Sequence, residues 1–175
     1  EPKAVIEVLK KMQAPLGKYA ITGNHEYITG IETSVQFIEN AGFTLLRDEV
    51  IPLKNILNLI GVEDSSANQF ANVKIIPESK LFSLINPNKF TILMKHQPRV
   101  DPESIPYFDL QLSGHTHAGQ IFPFTLLVKL VFPYICGLYD LTSGKKLYVS
   151  RGTGTWGPPF RFLAPPELTF ITIKK

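Results

Sequence analysis

The chain has 175 residues, about the length of one domain with one hydrophobic core, and its 44% hydrophobic and 19% charged content excludes a disordered polymer. A net charge of +3 is too mild for the electrostatic footprint of a nucleic-acid binder. The single cysteine, Cys136, excludes an internal disulfide framework and a cysteine-rich zinc site.

Residues 4–13 place Ala4, Val5, Val8, Leu9 and Met12 at helical spacing, and Pro15-Leu16-Gly17 ends that predicted helix. Residues 18–22 form a short predicted strand that runs into Gly23-Asn24-His25-Glu26. Residues 31–41 read as a second amphipathic helix, stopped by Gly42. Residues 43–46 and 56–62 have the composition of strands, Pro77-Glu78 opens a short helix through Ile85, and Asn86-Pro87-Asn88 is a turn. An apolar run of strand length occupies 90–94, and 110–113 reads as another strand. Residues 137–141 and 146–150 flank Thr142-Ser143-Gly144 as a hairpin, and 168–173 alternates weakly as a last strand. Mixed strands and helices feeding at least one sheet place the chain in the α/β or α+β class.

Residues 121–139 are the least polar stretch and nearly long enough for a membrane span, but Pro123, Lys129 and Pro133 interrupt it. The expectation is a buried helix or an apolar flap, with contact to a lipid surface or an acyl chain as the alternative. Trp156 and the aromatics of 160–162 are expected to be loop packing, and Cys136 a small buried hydrophobe. Arg151 and Arg161 either face an anion or satisfy backbone carbonyls, the latter being the commoner use.

The four histidines all directly follow predicted strands. His25 lies in Gly-Asn-His-Glu, His96 in Lys-His-Gln-Pro, and His115 and His117 share Gly-His-Thr-His-Ala-Gly-Gln. Ligands gather at the carboxyl ends of strands in open α/β sheets, so these loops can meet in one site. An i, i+2 pair in extended backbone would point the His115 and His117 rings to one side. Imidazole is a common ligand for zinc, manganese, iron and similar cations. A lone histidine after a strand is more often a capping group, and a Gly-His-x-His turn is as often structural; what favours a site is that no histidine lies elsewhere.

Gly-Asn-His-Glu, a histidine after an apolar strand, and Gly-His-Thr-His, in that order, resemble the second half of the calcineurin-like metallophosphoesterases. The tail motifs Tyr148-Val149-Ser150-Arg151-Gly152-Thr153-Gly154 and Ala164-Pro165-Pro166-Glu167-Leu168 look like the bacterial membrane-associated phosphodiesterase branch. The resemblance implies an α/β fold, a two-sheet sandwich flanked by helices, of which residues 1–175 are the C-terminal portion of a single domain. It implies a phosphoester hydrolase, of a phosphodiester by preference, with two divalent metal ions (Mn, Zn, Fe or similar) roughly 3.5–4 Å apart and a metal-bound hydroxide nucleophile. Asn24, His96 and His115 resemble ligands of the second metal and His117 a ligand of the first. His25 resembles the catalytic imidazole that protonates the leaving oxygen, with Glu26 orienting it. The implied partners are a phosphoester, lipid-linked in this branch, and a membrane surface reached through a segment upstream of residue 1.

The family's Asp-x-His and Gly-Asp-x-x-Asp motifs are absent, and Asp48, Asp64, Asp101, Asp109 and Asp140 fit neither. Glu1-Pro2-Lys3 carries no initiator Met and no signal-peptide pattern. The expectation is a chain incomplete at its N-terminus, with partial or no metal occupancy and no activity alone. The rivals are a metal-poor pseudoenzyme or binding module on the same fold, and a mononuclear zinc site on Asn24, His96 and His115.

Overall fold

The computed structural model describes residues 2–174. In chain order the elements are α1 (Pro2–Lys11), β1 (Tyr19–Ile21), α2 (Asn24–Thr29), α3 (Ile31–Asn40), β2 (Thr44–Leu46), β3 (Glu49–Leu53) and β4 (Leu57–Gly61). There follow α4 (Ser66–Ala71), α5 (Glu78–Phe82), β5 (Phe90–Met94), β6 (Leu110–Ser113), α6 (Phe124–Val131), β7 (Gly137–Asp140) and β8 (Lys146–Val149). The α/β class holds. A two-stranded parallel sheet, β1-β2, faces a six-stranded mixed sheet in the order β3-β4-β5-β6-β8-β7.

Period-two alternation in β4 and β5 decides where the core sits. Leu59 and its flanking neighbours Leu57, Ile92 and Met94 pack with Leu46, Leu53, Tyr19 and Ile21, which fills the space between the two sheets. Ile60 and Leu93 point the other way, into a cluster with Val62, Leu81, Phe82 and Phe108 beneath α5. Both faces of the central strands are therefore covered, which is why these strands read as nearly continuous apolar runs. Gly61 ends β4 where the sheets approach most closely: a Cβ there would collide with Leu46 and Ile21.

Three elements escape the sequence reading. β3 contains Pro52, which argues against a strand, but β3 is an edge strand and its proline costs no ladder hydrogen bond. α2 begins at Asn24, inside what reads as a loop, because the Glu26 carboxylate accepts the Gly23 N–H (2.7 Å) and so caps its N-terminus. α4 starts after Asp64 Oδ1 accepts the Ser66 N–H (2.9 Å).

Two expectations fail. Residues 168–173 form no strand: Leu168 and Phe170 are more than 90% exposed, and alternation without a partner edge has nothing to pair with. Residues 121–139 hold the eight-residue α6 and the start of β7, and α6 is not the buried helix expected: Phe124, Leu126, Leu127, Leu130 and Val131 all stand in solvent, which leaves the apolar flap. Trp156, Phe160 and Phe162 are likewise exposed rather than packed, and Cys136 is only half-buried. Among the described residues no helix is long and apolar enough to cross a membrane.

Candidate metal centre

Parallel pairing brings His96 and His115 together. β5 and β6 are neighbours in register, Met94 opposite Leu112, and the ladder continues as Lys95 N–H to Leu112 O (3.0 Å) and Gly114 N–H to His96 O (2.9 Å). Both histidines thus leave the same end of the same sheet. Asn24 arrives from the other sheet, at the end of β1. A buried network holds it there: Thr22 and Arg47 (2.7 Å) both donate to Glu63, and Arg47 also donates to Tyr27 on α2 (3.0 Å). Burial, reinforced by Glu63, pushes the Tyr27 phenol up to about 12, so it stays a neutral partner.

The result is a tight triangle. Asn24 Oδ1 lies 2.9 Å from His96 Nε2 and 3.2 Å from His115 Nδ1, and the two ring nitrogens are 3.1 Å apart. Adjacent ligand atoms around a cation with bonds of about 2.1 Å stand about 3.0–3.4 Å apart, so the three donor atoms already have the spacing of a shared coordination sphere. The donors suit a divalent cation, being two neutral imidazoles and a carboxamide oxygen. No cluster of three His, Cys, Asp or Glu side chains exists among the described residues; the triad is complete only with the Asn24 carboxamide.

Gly23 makes the close approach possible. A Cβ at this position would stand 2.7 Å from His96 Nδ1 and Cε1. Here the glycine of Gly-Asn-His is a matter of space, since its φ of −124° is open to any residue.

The extended-backbone expectation for His115 and His117 is overturned. His115 (φ 69°), His117 (φ 50°), Ala118 (φ 53°) and Gln120 (φ 52°) are all left-handed, as is Gly119. Each non-glycine residue in that region carries strain of order 1 kcal/mol or more, which accumulates at functional sites. The two rings diverge as a result: His115 joins the triad, whereas His117 Nδ1 lies 3.0 Å from Arg161 Nη2. His25, half-buried at the start of α2, lies near enough to lower the proton affinity of both His96 and His117. Glu26 is engaged with the Gly23 N–H, not with His25, which corrects its expected orienting role.

Burial is the leading cause of the low proton affinity of these rings. It brings His115 down to about 4, aided by His96, and it lowers His96 and His117 as well, His117 with a contribution from the Arg161 charge. Buried Asp64 opposes the shift at His96 and His115. Neutral imidazoles are what a cation needs, so the pocket is set for ligation well below neutral pH. The unfolded chain takes up protons near 6.5 that folded His115 refuses until about 4. Stability is therefore full above about pH 6.5 and falls as pH drops toward 4. The metal-free chain should show a thermal midpoint at least about 3 °C lower at pH 5 than at pH 7.5, and His115→Asn should shrink that difference. A flat profile would exclude a buried neutral His115.

Phe132, just after α6, sets its ring edge against His115 (5.1 Å between centroids), and Arg99 lies over the same ring. On the other side of His96 a cleft of about 250 Å³ opens, lined among others by Asp64, Ser65, Lys95, Gln97 and Arg99. Asp64 fits neither carboxylate motif, Gln120 closes the Gly-His-Thr-His-Ala-Gly-Gln stretch and Phe132 lies in the apolar 121–139 segment, but no local pattern gave any of the three a role at the site.

Comparison with known proteins finds relatives. An Aquifex aeolicus protein named an uncharacterized metallophosphoesterase is 41% identical over 170 residues, covering 96% of this chain. By sequence, the chain is similar along nearly its whole length to proteins named metallophosphoesterases. A Helicobacter pylori protein of the same name is 41% identical over 177 residues, and a zebrafish protein named transmembrane protein with metallophosphoesterase domain is 32% identical over 185. These matches cover 98% and 99% of the chain. The chain spans 65%, 46% and 42% of the three relatives' own length. No family model matches it, and no solved structure matches it.

Proposed function

We propose that this chain carries part of the centre of a metal-dependent phosphoester hydrolase, acting on a phosphodiester, and that Asn24, His96 and His115 hold one divalent cation. The observation that carries this reading is the triangle of donor atoms with edges of 2.9, 3.1 and 3.2 Å, built from both sheets. The relatives' names support the reaction class. A bound cation would supply Lewis-acid polarisation of a phosphoryl oxygen and a source of nucleophile at neutral pH. His117 belongs to a second metal position beside the first.

The chain's own groups supply the remainder. We assign to His25, at the start of α2, the transfer of a proton to the departing oxygen, a role that imidazole chemistry suits. Arg99, on the lining of the cleft that opens at His96, is the side chain to meet an anionic substrate there, since Lys95 is paired with Glu78 (2.6 Å). Neutral ligands leave the cation's charge uncompensated and so favour anion binding further. Among the described residues no carboxylate stands with the triad as a bridge between two cations, and two close cations repel without one. The chain with added Mn²⁺ or Zn²⁺ is therefore expected to hydrolyse a chromogenic phosphodiester at least about 100-fold more slowly than the longer Aquifex aeolicus relative. Comparable turnover would show that residues outside this set complete the centre, and would favour a different ligand arrangement.

The exposed α6 supports a second element of the reading, that an acyl chain or anionic bilayer covers the site mouth. Phe132 ties this segment to His115, and Lys129 adds a cation among exposed leucines. Replacing Leu126, Leu127 and Leu130 by Ser is expected to leave the thermal midpoint within about 2 °C, because these side chains bury little. Binding to anionic liposomes, measured on the same samples, should fall at least about tenfold. A large drop in midpoint with unchanged liposome binding would return α6 to the core.

A further inference from the structure

We propose that Arg161 is a positioning residue for His117, acting from a loop outside the metallophosphoesterase motifs and, with Gln120, clamping residues 151–164 onto the Gly-His-Thr-His turn. This rests on the reading of the site above only for the use to which His117 is put.

The clamp has two parts. Arg161 sends Nε–H to Gly154 O (2.9 Å), Nη1 to Ala164 O (3.1 Å) and His117 O (3.4 Å), and Nη2 to Arg151 O (2.8 Å), Gly154 O and His117 Nδ1 (3.0 Å). A guanidinium has five N–H groups and no acceptor, and here every one is spent within the protein. The buried Gln120 works in the opposite direction, donating Nε2–H to Trp156 O (2.7 Å) and Pro158 O (3.1 Å) while its Oε1 accepts the Trp156 N–H. Backbone bonds from Phe162 N–H to Gln120 O (2.9 Å) and Phe122 N–H to Phe162 O (3.1 Å) complete the seam.

The 151–164 segment has almost no regular structure of its own, so these side-chain bonds are what fix it. In turn they fix His117. Its ring follows a left-handed backbone in a three-residue helical turn and would otherwise be free to rotate about its side-chain bonds. Arg161 Nη2 carries two hydrogens and has three acceptors within reach, the Arg151 and Gly154 carbonyls and His117 Nδ1, so the contact fixes where Nδ1 stands and leaves either ring nitrogen able to carry the proton. Gly154 O also stands at this ring, ready to accept a proton on Nδ1 in the tautomer that carries one there. The clamp therefore holds one ring orientation in either tautomer and keeps Nε2 as the nitrogen turned away from it.

Long-range ¹H–¹⁵N correlation spectra read His117 directly in the metal-free chain at pH 7.5. The parent is expected to show two widely separated His117 nitrogens, as a ring held in one orientation and one tautomer does; an averaged pair would overturn the proposal. Arg161→Gln should average the His117 pair while leaving the His25 pair unchanged, an effect that general loosening would not confine to one ring. An unchanged His117 pair in that variant overturns the proposal. If Arg161→Gln lacks a cooperative thermal transition, Arg161→Lys, which keeps the charge and loses the fork, is read in the same way. Failure of the parent chain to bind Zn²⁺ would count against the metal reading while leaving these spectra, and this inference, to stand or fall alone.

Discussion

His96→Ala is expected to lower Zn²⁺ affinity at least about 100-fold, or about 2.7 kcal/mol, measured by calorimetry at pH 7.5. His96 Nε2 makes two of the three edges of the donor triangle, at 2.9 Å to Asn24 and 3.1 Å to His115. Removing it leaves two donors from different sheets and no third to close the sphere. The histidine is otherwise dispensable to the core, whose clusters lie along β4 and β5 rather than beyond their ends. The thermal midpoint of the metal-free variant should accordingly stay within about 3 °C of the parent. Equal affinities for parent and variant would remove His96 from the site.

Gly23→Ala tests the same centre without touching a ligand. The added Cβ would arrive 2.7 Å from two atoms of the His96 ring, and the ring must then leave the triangle or β1 must withdraw from it. Overpacking of this kind costs about 1–3 kcal/mol, and the displaced ring should weaken Zn²⁺ binding at least about tenfold. Gly114→Ala is the matched control. It lies one residue before His115, its φ is not left-handed, and its added Cβ would meet nothing within 4 Å. Its affinity should stay within about twofold of the parent. A Gly23→Ala variant that binds as well as Gly114→Ala would show that His96 does not need its position beside Asn24.

Of the strands that aim the site, β5 was legible as a nearly continuous apolar run buried on both faces, and β6 as a shorter strand whose Gln111 and Ser113 are buried polar groups. Residues 90–94 and 110–113 coincide with β5 and β6, and the placement of His96 and His115 beyond them follows from parallel pairing. The meeting of Asn24 with those histidines is a long-range fact that no local pattern contains; the order of motifs suggested it only through the family resemblance. The backbone of the Gly-His-Thr-His turn was misread because an i, i+2 rule presumes extended chain, whereas this turn is left-handed at His115 and again from His117 to Gln120. α6 was left between core and flap for a different reason. Composition reports how apolar a segment is, not whether anything lies on it, and its leucines stand in solvent. Arg161 fulfilled the commoner expectation of satisfying carbonyls, but its contact with His117 depends on how an irregular loop folds back across the turn.

Sharing of one divalent cation by Asn24, His96 and His115 is open to direct measurement. X-ray absorption fine structure of the chain loaded with one equivalent of Zn²⁺ measures that sphere directly. The account predicts two imidazole ligands with nitrogen near 2.0–2.1 Å, oxygen in the remaining positions and no sulfur, with one imidazole lost in His96→Ala. A parent spectrum without imidazole backscattering, or one unchanged by His96→Ala, would contradict it.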